Sequence, residues 1–196
     1  MLDSAQIEPR VAAGILVFDD VLPFPNSYRG AALRSNFQSV GTPEETFHGI
    51  APAQPFMQAL PIWITELFPQ LTPTLTVFRK SPLDQREPQF IHEDISMGTW
   101  TGLLYLSPNP PAGDGTDFYT HIPTGKIESD RAGGFDGRDD WKDLSKWEKR
   151  EHVEAKFNRL LLFPSRYFHA RALFSNFGTG DEARLIQLVF GTGELA

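Results

Sequence analysis

The stretch QFIHEDISMGTWTGLLYLSP, residues 89–108, places three polar residues directly before a long apolar run. The runs QFIHEDI and TWTGLLYLSP predict two strands joined by a glycine turn, because both contain branched and aromatic residues bounded by turn formers. Side chains alternate across a strand, so His92 and Asp94 would share one face and Glu93 would point to the other. The stretch therefore predicts a β protein that presents a histidine beside a carboxylate.

The chain on either side of this stretch predicts further strands. These are VAAGILVFD (residues 11–19), LTPTLTVFRK (71–80), TDFYTHI (116–122), a pair within RLLLFPSRYFHARALF (159–174) that is broken at Pro164 and Ser165, and EARLIQLVFG (182–191). Each has strand length and composition and is bounded by glycine, proline or other turn-forming residues. The segment GTPEETFHGIAPAQP, residues 41–55, predicts a loop instead.

Helical patterns occur in three segments. YRGAALRSNF (residues 28–37) follows Asn26 and Ser27, either of which could cap a helix. FMQALPIWITELF (residues 56–68) has helical spacing of apolar residues, although Pro61 must bend or restart that helix. Residues 125–157 are polar and charged, and they predict a helical insertion between two strands.

The order of elements, with helices first and then a run of strands, predicts a mainly β protein with helices. The expected architecture is a double-stranded β-helix, or jelly roll, backed by the N-terminal helices. With 196 residues, a single domain over 1–196 is expected, with the jelly-roll core at 71–191.

Composition narrows the classes of partner. The net charge is −7 and no lysine and arginine block occurs, so neither nucleic acid nor a membrane surface is expected as a partner. There is no cysteine, which excludes disulfides, thiolate metal sites and cysteine nucleophiles. The first residues have no signal-peptide pattern and no run is long enough to span a bilayer, so a cytoplasmic location is expected. The oligomeric state is not predicted.

A second histidine, His169, lies in the later strand pattern YFHARALF. Two imidazoles and one carboxylate form the facial triad that suits non-haem Fe(II) and leaves coordination positions open. Zinc could use the same ligands in a tetrahedral site, so ligand types alone leave the metal open. His152 and Glu154 have the same spacing, but the predicted helix would splay them apart.

An arginine in the last strand is suited to a carboxylate ligand. Arg184 begins RLIQLVF, where a fixed guanidinium could hold a carboxylate in a bidentate grip. Tyr105, at the end of GLLYL, could donate its hydroxyl to the same carboxylate. Arg171 would share a face with His169 if that strand continues, so it is the rival anchor.

The order IHED, TGLLYLSP, GDGTDFY, LLLFPSRYFHA and RLIQLVF resembles the Fe(II)- and 2-oxoglutarate-dependent oxygenases over roughly residues 71–191. It is most similar to their prolyl-hydroxylase-like branch, and to a small bacterial family of unassigned substrate within that branch. The opening LVFDDVLPFP also resembles the entry segment of such proteins.

The resemblance implies a set of roles. His92, Asp94 and His169 would hold Fe(II), Arg184 would bind the 5-carboxylate of 2-oxoglutarate with help from Tyr105, and Thr116 and Phe118 would match a turn that shapes the site. Three features depart from the family pattern. The 15-residue interval from His169 to Arg184 is longer than usual, Leu188 stands where a hydroxyl residue often helps, and the turn has Gly-Asp-Gly in place of Gly-Gly.

The implied reaction is hydroxylation of a small molecule or peptide by O2, with conversion of 2-oxoglutarate to succinate and CO2. Asp94 favours hydroxylation or desaturation, because related halogenases have a small residue at the matching position. A non-catalytic jelly-roll binding protein, or one that uses another metal, is the alternative. A cupin-type enzyme would show clustered histidines, which are missing here.

Two further features of the sequence, the segment 125–157 and His121, each have two interpretations. The segment 125–157, with Trp141 and Trp147, is either an amphipathic cover or a substrate lid. His121 either faces the mouth of the site or is an exposed or hydrogen-bonded strand histidine. No role is assigned to His48.

Overall fold

The computed structural model describes residues 10–41, 46–54, 57–85, 91–130, 134–135, 137–172 and 176–195. Within these residues the protein is mainly β, with two α-helices. The helices are α1 (Pro25–Leu33) and α2 (Ala59–Leu67). The strands are β1 (Arg10–Ala12), β2 (Ile15–Phe18), β3 (Gln38–Gly41), β4 (Thr46–Pro52), β5 (Thr72–Ser81), β6 (Trp100–Tyr105), β7 (Gly115–His121), β8 (Trp147–Glu154), β9 (Leu160–Pro164), β10 (His169–Arg171) and β11 (Arg184–Thr192).

The strands form two antiparallel sheets. The large sheet has eight strands in the order β1-β2-β9-β6-β11-β5-β4-β3, and the small sheet has three in the order β10-β7-β8. β6 and β11 pair at the centre of the large sheet, with Tyr105 opposite Ile186. An apolar layer that includes Leu103, Phe118 and Ile186 lies between the two sheets. The predicted strands that correspond to β5, β6, β7, β9, β10 and β11 are confirmed.

Both helices pack against the outer face of the large sheet, as predicted. Ala32 of α1 and Ile64 of α2 are fully buried in the same cluster as Phe78 and Leu104. α1 begins at Pro25 and has no side-chain cap, so the predicted cap at Asn26 or Ser27 is wrong. Proline suits the first helical position, where its fixed φ is helical and no amide donor is needed. No helix in the described ranges is long and apolar enough to cross a bilayer.

The position of Pro61 explains why this proline does not break α2. Pro61 is the third residue of α2, within the first turn, where backbone amides have no partner inside the helix. The helix therefore runs unbroken from Ala59, and the predicted bend or restart at Pro61 is wrong. Phe56, the first residue of the predicted helix, lies outside the described residues.

Two predictions for the N-terminal part are also wrong. Residues 11–19 form a hairpin rather than one strand, because Ala13 and Gly14 have positive φ values of 51° and 82° between β1 and β2. Such paired positive φ angles are typical of two-residue hairpin turns. The described part of the predicted loop 41–55 contains a strand, since β4 (Thr46–Pro52) pairs with β5 on one side and with β3 on the other.

The described residues of the segment 125–157 do not form the predicted helical insertion. Its C-terminal part is β8, an edge strand that pairs antiparallel with β7. The preceding chain contains two short 3-10 turns, at Arg138–Asp140 and Leu144–Lys146. Only Trp147 and Val153 of β8 are buried, so the strand lacks the alternation by which a strand is recognised in a sequence.

Candidate active site

A pair of backbone hydrogen bonds brings His92 and His169 together. The amide nitrogen of each residue donates to the carbonyl oxygen of the other at 2.9 Å, which forms a single antiparallel bridge. The chain turns directly after Asp94, so the strand predicted over QFIHEDI is reduced to this bridge. Residues 89 and 90 lie outside the described residues. The bridge places His92 at the β10 edge of the small sheet.

His92, Asp94 and His169 form the one group of three potential metal ligands in the described parts of the chain, with donor atoms within 4.8 Å of one another. Asp94 Oδ2 lies 3.3 Å from His169 Nε2, and Asp94 Oδ1 lies 3.8 Å from His92 Nε2. Neighbouring ligands of an octahedral ion, each bound at about 2.1 Å, are about 3 Å apart. The spacing therefore fits one ion after small side-chain movements.

Neighbouring groups orient two of these three side chains. His169 Nδ1 lies 2.9 Å from the Tyr167 carbonyl oxygen, an acceptor, so Nδ1 carries the proton and Nε2 faces Asp94. This tautomer is the one that metal-bound histidines use. Thr101 donates its hydroxyl to Asp94 Oδ2 at 3.1 Å, and the Asp94 amide donates to the Ser165 carbonyl at 2.7 Å.

The charges of Asp94 and His169 are coupled. Burial raises the pKa of Asp94, but the two imidazoles and the Thr101 hydroxyl outweigh that effect and hold the pKa below its usual value. Burial lowers the pKa of His169, but the Asp94 carboxylate outweighs it and the net pKa is raised. An ionised carboxylate between two imidazoles is a set of ligands that suits a divalent cation. On binding, the cation would replace the proton of His169.

Glu93 lines the same cavity but is not one of the three candidate ligands. Its Oε2 accepts a hydrogen bond from the Ile95 amide at 2.6 Å, and its Oε1 lies 3.3 Å from Arg138 Nη2. The side chain thus holds the turn that follows Asp94. That structural role was not predicted from the sequence.

A buried carboxylate, Asp114, links the two candidate anchors Arg184 and Arg171. Arg184 Nε donates to both oxygens of Asp114 at 3.3 and 3.2 Å, and Arg171 Nε lies 3.7 Å from Asp114 Oδ1. The exposed fractions of Asp114 and Arg184 are 1% and 4%. Within the described chain, Arg184 bonds through Nε alone, so its Nη groups are left for the cavity that Arg184 lines.

Asp114 was not predicted as a site residue. It is the middle residue of Gly-Asp-Gly, the turn that departs from the Gly-Gly pattern of the family. That departure was the one signal in the sequence that could have indicated it.

Tyr105 is fully buried behind Thr116. Its hydroxyl shares a hydrogen bond of 2.7 Å with Thr116 Oγ1, and Thr116 lines the cavity. Burial raises the pKa of Tyr105, so the hydroxyl keeps its proton at neutral pH. Phe118 packs between the sheets, with its ring 6.1 Å from that of His169. The Tyr105 hydroxyl therefore contacts Thr116, and the role of Tyr105 in binding a carboxylate stays a prediction.

The three candidate ligands and both arginines line one cavity of about 940 Å³. Its floor is the inner face of β11, β5, β4 and β3, and Leu188 is part of that floor. Trp141 lines the cavity, whereas Trp147 is buried in the cluster outside the small sheet. The segment 125–157 therefore supplies both a cover and one wall of the cavity.

The remaining histidines lie outside the cavity. His152 lies on β8, so the prediction that a helix separates it from Glu154 is wrong, and its Nδ1 is bonded to Asp117 Oδ1 at 2.7 Å. His121 is buried and bonded to Thr124 and Asp140, which confirms the hydrogen-bonded interpretation. His48 lies on β4 and contacts Ser39.

Comparison with solved structures shows a shared fold. The chain is similar to the non-heme alpha ketoglutarate dependent carbocyclase SnoK from nogalamycin biosynthesis, with 16% identity, a TM-score of 0.61 and coverage of 90% of this chain and 78% of that one. The epimerase SnoN, in complex with Fe3+, alpha ketoglutarate and nogalamycin RO, matches with 12% identity, a TM-score of 0.55 and coverage of 90% and 77%. EvdO2 from Micromonospora carbonacea var. aurantiaca, complexed with 2-oxoglutarate, matches with 13% identity, a TM-score of 0.53 and coverage of 97% and 96%. No family model and no curated protein matches the sequence.

Proposed function

We propose that the protein is an Fe(II)- and 2-oxoglutarate-dependent oxygenase. The observation that carries this proposal is that a two-histidine, one-aspartate group and a buried, carboxylate-bound arginine line the same cavity. Such a ligand set leaves positions open for a bidentate cosubstrate and O2. The shared fold with proteins solved in complex with 2-oxoglutarate supports it.

We also propose that the chain is one domain over 1–196 with a double-stranded β-helix as its core, residues 71–191. The strands from β6 to β11 are divided between the two sheets, as in a double-stranded β-helix. β6, β9 and β11 belong to the large sheet, and β7, β8 and β10 belong to the small one. The prolyl-hydroxylase-like branch stays a prediction, since the solved structures with this fold include a carbocyclase and an epimerase.

In the proposed site His92, Asp94 and His169 hold Fe(II). When bound, Fe(II) and 2-oxoglutarate supply an oxidation by O2 that releases succinate and CO2. Arg184 binds the 5-carboxylate of 2-oxoglutarate with its Nη groups, and Asp114 holds its Nε. Arg171 contacts the same Asp114 oxygen and is the rival anchor.

Three further features of the proposed site are the Tyr105–Thr116 hydrogen bond, the apolar side chains and the carboxylate of Asp94 itself. Tyr105 holds Thr116 at the cavity wall through its hydroxyl. Leu103, Phe163 and Ile186 supply apolar walls beside the candidate ligands. A carboxylate at Asp94 leaves no room for a halide, so hydroxylation of a small molecule is the proposed reaction.

The test is to add Fe(II) and 2-oxoglutarate without oxygen and to record the weak visible charge-transfer band of the chelate. We expect a band that saturates with 2-oxoglutarate, together with thermal stabilisation by 2-oxoglutarate. His92→Ala removes the band, because a triad ligand is lost. Arg184→Ala weakens 2-oxoglutarate binding by about a hundredfold, as expected for a charged hydrogen-bonded pair, and changes iron binding far less.

His48→Ala is the matched control, because His48 lies outside the cavity, and it should leave the band unchanged. A protein that binds Zn(II) but shows neither a band nor stabilisation by 2-oxoglutarate is a metal-binding jelly roll rather than an oxygenase. If Arg171→Ala gives the loss expected for Arg184→Ala, the anchor is Arg171.

A further inference from the structure

The cavity is much wider than the metal and cosubstrate site requires. The small sheet has three strands against eight in the large sheet, so β5, β4 and β3 extend past the residues that form the triad. The inner face of this extension, together with Leu188 of the neighbouring β11, is what we call the apolar floor. Its members are Val40, Phe47, Ile50, Leu75, Val77 and Leu188. Adjacent strands lie about 4.8 Å apart, so the floor reaches roughly 14 Å sideways from β11 to β3.

The apolar floor is open to solvent. Val40 is 46% exposed and Leu75 is 38% exposed, and Met97 across the mouth is 41% exposed. These three are among the ten large apolar side chains found exposed in the described residues. Clustering of exposed apolar side chains around one cavity marks a binding surface rather than ordinary surface scatter.

The charges around the apolar floor differ from those of the whole chain. Apart from the triad and the two arginines that contact Asp114, the described lining residues include Arg79, Arg138 and Lys142 against Glu93 and Asp139. This part of the cavity therefore carries one excess positive charge, in a protein of net charge −7. Such a contrast favours a ligand with one negative charge.

We propose that the apolar floor binds the substrate, an extended apolar small molecule that carries one carboxylate. The apolar body lies across β5 and β4, and the carboxylate is stabilised by the excess positive charge of the cavity wall. The cavity of about 940 Å³ has room for such a molecule beside 2-oxoglutarate. The assignment of this molecule as substrate rests on the proposed function, whereas its binding to the floor does not.

Three ten-carbon probes of different charge test the proposal: decanoate, decan-1-ol and decylamine. Isothermal titration into the iron-free protein, with and without added 2-oxoglutarate, should show decanoate binding at least tenfold more tightly than either other probe. Leu75→Glu should weaken decanoate binding at least tenfold, because a carboxylate then stands in the floor. Ile62→Glu is the matched control, since Ile62 is 55% exposed on α2 beyond the other face of the large sheet, and it should change nothing.

If the three probes bind equally well, the ligand is not selected for a carboxylate. If Leu75→Glu and Ile62→Glu have equal effects, the apolar floor is not the binding site. The chelate band of the wild-type protein is measured in parallel. A band without decanoate binding refutes the floor alone. Decanoate binding that Leu75→Glu abolishes, without any band, supports the floor and refutes the oxygenase.

Discussion

Asp114 shows which part of the site could be predicted from the sequence. The triad and Arg184 were recognisable because each has a characteristic residue type and a place in the order of strands. Asp114 lies in a Gly-Asp-Gly turn, where aspartate is common for reasons of turn geometry alone. Its partners Arg171 and Arg184 follow far along the chain, so only the folded sheets reveal that one carboxylate contacts both arginines.

Asp114→Asn should weaken 2-oxoglutarate binding by roughly ten- to a hundredfold, as expected for loss of a charged hydrogen-bonded partner. The reason is that a neutral amide holds Arg184 Nε less firmly, so the Nη groups lose their fixed direction. The measurement is the 2-oxoglutarate concentration that half-saturates the chelate band, with iron affinity expected to stay within a few fold.

Asp117→Asn is the control for that substitution. Asp117 is also buried, lies on β7 three residues after Asp114, and pairs with His152 away from the cavity. Its loss should lower stability without a selective effect on 2-oxoglutarate. Tighter cosubstrate binding in Asp114→Asn would contradict the positioning role, because it would mean that only the net charge matters.

A strand could be predicted from the sequence when both of its faces are buried, and not when it is an exposed edge strand. β6 and β9 are buried on both faces between the helices and the small sheet, and their apolar runs predicted them. β3 and β8 are edge strands with few or no buried residues, so neither has an alternating pattern. The sequence of β8 predicts a helix because lysine, glutamate and arginine dominate its exposed positions, and these are also good helix formers.

An ion pair links the N-terminal hairpin β1–β2 to the neighbouring strand β9 of the large sheet. Arg159, just before β9, donates to both oxygens of Asp19, just after β2, at 2.6 and 3.0 Å. The hydrogen bond from Arg159 lowers the pKa of Asp19 to about 2. A carboxyl whose pKa is lower in the folded state stabilises the protein above its unfolded pKa of 3.8, and this stabilisation is lost as the pH falls towards 2.

Asp19→Asn should therefore lower the free energy of unfolding by about 1 kcal/mol at pH 7, a value reduced for the solvent exposure of Asp19. The difference from the wild type should shrink between pH 4 and pH 2. Urea unfolding across this range measures it. Asp20→Asn is the control, because Asp20 is 77% exposed and 3.8 Å from Lys156, and it should have almost no effect. A difference for Asp19→Asn that persists undiminished at the lowest pH would exclude the ion pair as its cause.

The candidate metal site connects the two sheets of the molecule. His92 and His169 belong to the edge of the small sheet, whereas Thr101, which bonds Asp94, lies on β6 of the large sheet. An ion held by all three ligands would therefore restrain the sheets against separation, which is the motion that exposes the core between them. The site should then contribute to the stability of the whole fold as well as to chemistry.

Removal of the metal should consequently lower the melting temperature of the Fe(II)-loaded protein under anaerobic conditions. At a free iron concentration one hundred times its dissociation constant, linkage gives about 2.7 kcal/mol, or roughly 5–10 °C for a chain of this size. The shift on adding EDTA should shrink as the pH is lowered from 8 to 6, since the pKa of His169 is raised and its proton competes with the ion. His92→Ala should show no shift with EDTA at any pH. A wild-type protein stripped of iron that melts at the same temperature as the loaded form would show that the ion does not stabilise the folded protein.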